Sequence, residues 1–257
     1  MSILPSRDPA RADQLAALRA ELTRAHDVRG PALAFGIEAL DDRLADHGLH
    51  GAGLHEIAAA SASLNDDAAA TLFTAGIAAR FASPPGATVL WAFTRFDLYA
   101  PGLEQVGLGP ARILYAQGRK DSEILTLAED GLRDGSLACV VAEVKAADMT
   151  ATRRLQLAAS DGRTPMLLYR RHRARDQRPL SDLSSAMTRW LIGCVASAQL
   201  PYAGVGRPRW SVTLVRQRGG NPLSIELEAC DDTGRLALPA RLVNRPAAAG
   251  GTHRRAA

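Results

Sequence analysis

Cysteine is scarce in this chain: Cys139, Cys194 and Cys230 are the only three in 257 residues. They are odd in number and far apart, so they offer neither a disulfide framework nor a zinc-ligand spacing. No apolar run reaches the roughly 18 residues that a membrane span needs, because Arg, Asp or Gly interrupts each one. The opening residues, MSILPSRDPARADQ, contain no apolar stretch of signal-peptide length. These absences predict a cytoplasmic protein with no membrane partner. Lysine is nearly missing as well: of 31 basic residues, only Lys120 and Lys145 are lysines. Part of that bias reflects GC-rich codons, so arginine alone is weak evidence for phosphate recognition.

What is present is ordinary for a globular protein, with 47% apolar and 23% charged residues. The length suits one large α/β domain or two small ones, enough to bury a core without staples. The net charge of +4 conceals an asymmetry. Residues 1–150 carry 13 basic and 20 acidic side chains, a net of −7, whereas residues 151–257 carry 18 and 7, a net of +11. Such a split predicts one face for a polyanion or an acidic partner and a different role for the other.

The chain opens on a helical pattern. Asp8 is placed to cap it, Pro9 suits its first turn, and Leu15, Leu18, Leu22 and Ala25 recur at helical spacing before Gly30-Pro31. The narrow stripe predicts an arm over residues 1–30, docked on a larger body or on a partner. From residue 53 apolar runs alternate with helical patterns. Strands are predicted at 53–58, 87–93, 112–116, 137–144 and 164–169, and helices at 66–81, 98–107, 122–135 and 149–162. This alternation predicts an α/β fold, a mostly parallel sheet with helices on both faces. RRHRARDQR (170–178) reads as a basic surface loop and TRWLIGCVAS (188–197) as a further strand. Residues 209–229 read as a β-hairpin around Gly219-Gly220-Asn221-Pro222. The predicted core spans 31–244, followed by a flexible basic tail, 245–257.

A first strand followed by a loop and a helix invites a search for a phosphate-binding loop. Such a loop needs glycines for close backbone approach, a Lys for the β/γ-phosphates and a Ser or Thr for magnesium. Here Ala58, Ala59, Ala60, Ser61, Ala62, Ser63, Leu64, Asn65, Asp66 and Asp67 supply no Gly and no Lys. The two aspartates would repel triphosphate from the helix N-terminus and read instead as helix caps. Glu143 ends a buried strand, the position of a magnesium-directing carboxylate. Without the phosphate loop it reads as a strand-end acid paired with an arginine or a helix terminus. His47, His50 and His55 straddle three glycines with no added Cys, and His26, His172 and His253 read as surface residues. No nucleophile elbow or Cys–His pairing stands out. No catalytic residue, cofactor or metal site is predicted.

The order of motifs resembles a RecA core. FGIEALDDRLADHGLHGAGLHEIAAASAS (35–63) is similar to its opening: a helix bearing Leu-Asp, a Gly-rich turn, a Gly-x-x-x-Glu-Ile strand and the loop position. Residues 98–144 resemble the following stretch, and 209–229 resemble its closing hairpin. Thr94-Arg95-Phe96-Asp97 stands where RecA keeps a catalytic Glu. A RecA-like chain of this size with a degenerate phosphate loop, a basic hairpin and a short N-terminal helix resembles the ImuA family. That resemblance implies a non-catalytic accessory role in SOS-induced, error-prone translesion DNA synthesis. It implies partnership with ImuB, a Y-family polymerase homologue, and with an error-prone replicative-type polymerase. RecA and the DNA backbone remain open as further partners. A SulA-like division inhibitor and a noncanonical RecA-like ATPase are the alternatives.

A non-catalytic body acts through surfaces. The candidate partner or DNA contacts are Arg153, Arg154, Arg170, Arg171, Arg173, Arg175 and Arg178, together with Arg207, Arg209, Arg216 and Arg218 around the hairpin. The loop has no interleaved aromatics, which argues against base stacking. Alternation predicts Trp210, Val212 and Leu214 on the core face with the arginines outward.

Overall fold

A strand without polar alternation needs cover on both of its faces, and the sheet built from the apolar runs above is covered on both. The computed structural model describes residues 31–172, 179–197 and 204–239; the predicted arm with Leu15, Leu18 and Leu22, and the tail, lie outside the described residues. A small antiparallel ribbon, β1 (Ala32–Leu33) with β2 (Leu49–His50), precedes the main sheet. That sheet comprises β3 (Leu54–Ala59), β4 (Val89–Phe93), β5 (Ile113–Gln117), β6 (Cys139–Val144) and β7 (Met166–Arg170), then β8 (Thr188–Val195), β9 (Arg209–Gln217) and β10 (Leu223–Glu228). Its order is β10-β9-β8-β3-β7-β6-β4-β5. Neighbours from β8 through to β5 run parallel, while β9 pairs antiparallel with both β8 and β10.

The helices are α1 (Glu38–Asp41), α2 (Leu64–Phe81), α3 (Ala100–Gln105), α4 (Asp121–Asp134) and α5 (Met149–Asp161). Helices α2 and α3 pack on one face, burying Phe73, Ile77 and Leu103 against Trp91, Trp190 and Val212. On the other face α4 and α5 bury Ile124, Leu132 and Leu155 against Val140 and Leu168. Phe73 lies within an aromatic cluster, its ring centroid 6.3 Å from Phe35, 6.1 Å from Trp190 and 6.2 Å from Trp210. Side-chain packing of this kind contributes about 0.5–1.5 kcal/mol per pair beyond area burial. Gly76 lets the turn after β10 come close: a Cβ there would lie 2.4 Å from Cys230 Sγ. Burial pushes the Cys230 thiol pKa up to about 12, so it is inert.

Local signals set the helix ends. The Ser63 hydroxyl accepts from Asp66 N at 3.1 Å and caps α2. Asp148 caps α5 through Ala151 N at 2.7 Å, and Gly135, at φ 71°, closes α4 in the left-handed conformation. Ser63, not the aspartate pair, is therefore the cap of α2; Asp66 and Asp67 lie inside the first turn and bond elsewhere. The bulge between Arg189 and Trp190 lets β8 keep Trp190 in the core while Arg189 meets β3.

The histidines of the Gly-rich turn have separate fates. His47 is exposed, at φ 52°, 4.0 Å from Asp42. His55 is fully buried. Its Nε2 donates to His50 O at 2.9 Å, which leaves Nδ1 to accept from the Thr188 hydroxyl at 2.7 Å. Thr188 Oγ1 in turn accepts from Trp190 Nε1 at 2.7 Å. Among the described residues no cluster of His, Cys, Asp and Glu is arranged to hold a metal ion, and no helix is long and apolar enough to cross a membrane.

Burial pulls the His55 pKa from 6.5 down to about 4. Below pH 6.5 the unfolded chain takes a proton that the folded chain refuses until pH falls near 4. Stability is therefore full above pH 6.5 and is lost as pH falls through this window, by about 3 kcal/mol at most. Chemical denaturation at pH 7 and pH 4.5 should show this loss. A His55→Gln variant should show a correspondingly smaller difference between the two pH values.

Candidate functional site

In open α/β sheets ligands bind beyond the C-terminal ends of the parallel strands. There, β3, β4, β6 and β7 open on a cleft of about 350 Å³. Residues 61–64 form one wall, Thr94, Arg95 and Asp97 another, and Glu143, Lys145, Arg171 and His172 the floor and rim.

Arg171, the residue just past β7, occupies its centre. Its guanidinium reaches Asp67 at 2.8 Å, Asp97 at 3.0 Å and Glu143 at 2.6 Å. It also lies 5.2 Å over the Tyr169 ring. The Tyr169 hydroxyl donates to Asp67 Oδ1 at 2.5 Å, and the Trp91 indole donates to Glu143 Oε1 at 2.7 Å. Burial pushes the Glu143 carboxyl pKa up, opposed by the Arg171 charge and the indole donor. Burial acts to lower the Arg171 pKa, but Glu143 and Asp67 outweigh it and hold the guanidinium firmly charged. The loop wall is tied off too. Ala60 N donates to Ile192 O at 2.8 Å. Asp66 accepts from Ser61 Oγ at 2.5 Å and from Cys194 N at 2.7 Å. Ala59 O bonds His172 Nε2 at 3.1 Å, so this histidine is half-buried, not a surface residue. Leu64 is exposed and Asn65 lies beside it in the first turn of α2.

Several arginines expected on the surface are not there. Arg170 ends β7 instead of opening a loop, is 1% exposed, and donates to Glu56 Oε1 at 2.6 Å. Arg189 donates to the other oxygen of Glu56, also at 2.6 Å. Arg171 is 20% exposed and engaged as above. The reason is topological: β3 and β6 flank β7 and bring Glu56 and Glu143 to the end of the strand that carries both arginines. Arg154 pairs with Glu129 at 2.6 Å but stays exposed, as does Arg153. Arg207 bonds Ala229 O and lies 3.3 Å from Glu228; Arg209 is half-buried. Arg216 donates to Ser184 O at 2.9 Å and Arg218 to Ser185 O at 3.1 Å, with their side chains otherwise outward. Arg173, Arg175 and Arg178 lie outside the described residues. Sequence reading missed Glu56, Asp67 and Arg189 as partners. A carboxylate inside an apolar strand, as in LHEIAA, was the available signal, because a buried charge demands an opposite one.

Removing the central cation leaves three carboxylates facing one another. Arg171→Leu should lower the unfolding free energy by about 2–3 kcal/mol, below the larger cost of breaking fully buried pairs, with Arg171→Lys intermediate. Arg153→Ala should stay within about 0.5 kcal/mol. Urea titration of the three variants checks the order.

Comparison with known proteins places the chain. No protein-family model matches it. Protein ImuA of Caulobacter vibrioides, strain NA1000 / CB15N, is 36% identical over 220 residues, covering 84% of this chain and 90% of that protein. The same values hold for Protein ImuA of strain ATCC 19089 / CIP 103742 / CB 15. Among solved structures, SulA from Pseudomonas aeruginosa is 24% identical with a TM-score of 0.38, over 46% of this chain and 96% of that one. Overlap that low carries no argument. Identity of 36% sustained over most of both chains does, and it shows that this chain belongs to the ImuA family.

Proposed function

We propose that the chain is a non-catalytic, RecA-like accessory protein of SOS-induced, error-prone translesion DNA synthesis. It works in the cytoplasm beside an ImuB-type Y-family polymerase homologue and, through it, an error-prone replicative-type polymerase. One observation supports the pseudo-ATPase part of this reading above others: a guanidinium held by three carboxylates fills the cleft where a phosphate and its magnesium would sit. The cleft's own acids are engaged internally, the loop has neither Gly nor Lys, and its first amide is bonded to β8. A phosphate brought there would meet Asp67 in the first turn of α2, against the attraction of the helix end. Family membership supports the mutagenesis part.

On this reading the cleft takes no nucleotide and the chain acts through its surfaces. Among the described residues Arg153, Arg154, Arg216 and Arg218 are exposed. With Arg207 they are basic candidates for contact with a partner protein, RecA or the DNA backbone, as are Arg173, Arg175 and Arg178 from the sequence alone. Binding through them would weaken steeply as salt rises.

Two outcomes are expected. Calorimetric titration of the full chain with magnesium–ATP at high micromolar protein gives no saturable heat; a saturable isotherm revives the ATPase reading. Deleting the gene lowers ultraviolet-induced mutation frequency and leaves undamaged growth unchanged; an unaltered mutation frequency overturns the mutagenesis reading.

A further inference from the structure

Strand β5 is the last strand of the sheet, and no described residue pairs with its outer edge. Natural edge strands are usually short, charged, bulged or covered, because their free N–H and C=O groups template further pairing. β5 has none of those protections along its middle. Leu114 is 55% exposed on one face and Tyr115 is 38% exposed on the other. Beside Tyr115 stands Phe96, 55% exposed. Phe96 and Tyr115 meet edge to face, with centroids 5.2 Å apart, and Phe93 anchors both from the core at 5.2 and 6.1 Å. Rings held in mutual contact are ordered before any partner arrives, which lowers the entropy cost of binding. Single exposed apolar residues are unremarkable; a contiguous aromatic patch along an open sheet edge marks an interaction site.

Charge defines the partner. At the C-terminal end of β5 stand Arg119 and Lys120, both exposed, and Arg95 lies on the adjoining loop. Gln117 Nε2 ties the two loops together through Thr94 O at 3.3 Å. Asp97 is already shared by Arg95, at 2.8 Å, and Arg171, at 3.0 Å, so the charge offered to a partner is that of Arg119 and Lys120. A two-fold pairing of β5 with β5 of a second copy would bring the exposed Arg119 and Lys120 against a strand that carries no carboxylate between Ile113 and Gln117, leaving both cations unanswered. We propose that the β5 edge is a docking site for an extended segment of a partner protein. That segment adds as a further strand, buries bulky apolar side chains on Phe96 and Tyr115, and carries flanking carboxylates to Arg119 and Lys120. This surface rests on exposure and topology, and it stands apart from the mutagenesis reading.

Fluorescence anisotropy on the full chain tests it. The probe is a labelled peptide alternating Val and Phe and flanked by glutamates; its twin is flanked by lysines. The glutamate peptide should bind saturably and at least about tenfold more tightly than its twin. The double variant Phe96→Ser/Tyr115→Ser, altered only at exposed positions, should stay cooperatively folded, with a modest loss of stability from the lost ring contacts, and lose about tenfold in affinity. No binding, equal binding of both peptides, or undiminished binding by the double variant overturns the proposal. A concentration-dependent dimer that the double variant abolishes would make a second copy the occupant, and overturns it too. So does slow hydrogen exchange at every β5 amide of the free chain, which would mean that a segment of the same chain covers the edge. Fast exchange at the outward-facing amides, slowed by the glutamate peptide, is the expected result.

Discussion

At the open end of the sheet, one side chain joins four segments. Arg171 joins the first turn of α2 through Asp67, the loop after β4 through Asp97, and the end of β6 through Glu143, all from its own place after β7. Three carboxylates drawn together in a partly desolvated cleft repel one another strongly, since screening by water is reduced there. A fixed cation resolves this, and a planar guanidinium does so better than an ammonium because its donors fan out in one plane. The shape of the cleft and the direction in which the β4 loop leaves the sheet both follow from that arrangement.

The opposite face repeats the solution more deeply. Glu56, fully buried in β3, accepts from Arg170 and from Arg189, one arginine on each neighbouring strand. Asp182 approaches Arg170 at 3.6 Å from the segment before β8. Breaking such a buried set by losing one member is far more damaging than never having had it. In both places the sheet commits charge internally.

Much of the fold is legible in the chain because both-face burial leaves a plain mark. CVVAEV and MLLYR could be little else than covered strands, and Gly135 announces a helix end by well-understood local chemistry, whereas the Asp66-Asp67 pair reads as the cap of α2, a role that Ser63 fills. The ribbon β1–β2 left no such mark; two residues per strand are too few to show alternation. The arginines were less legible still. RRHRARDQR is uniform as a string, yet its first residue is core and its second is the keystone of the cleft. Glu56 lies 114 positions before Arg170, so only strand order reveals that they touch. A local reading gives each arginine the surface by default, and only topology corrects it.

Glu56 has an evolutionary corollary. One carboxylate answers two buried arginines on separate strands, and the three positions are not equivalent. Losing either arginine leaves Glu56 with one guanidinium and the charges balanced, whereas losing Glu56 strands both cations in the core. Position 56 should therefore be the last of the three to change among ImuA sequences, after positions 170 and 189 have lost their charge. The exposed arginines of β9 and its flanks, each answering at most to a backbone carbonyl or a rim acid, are free to vary one at a time.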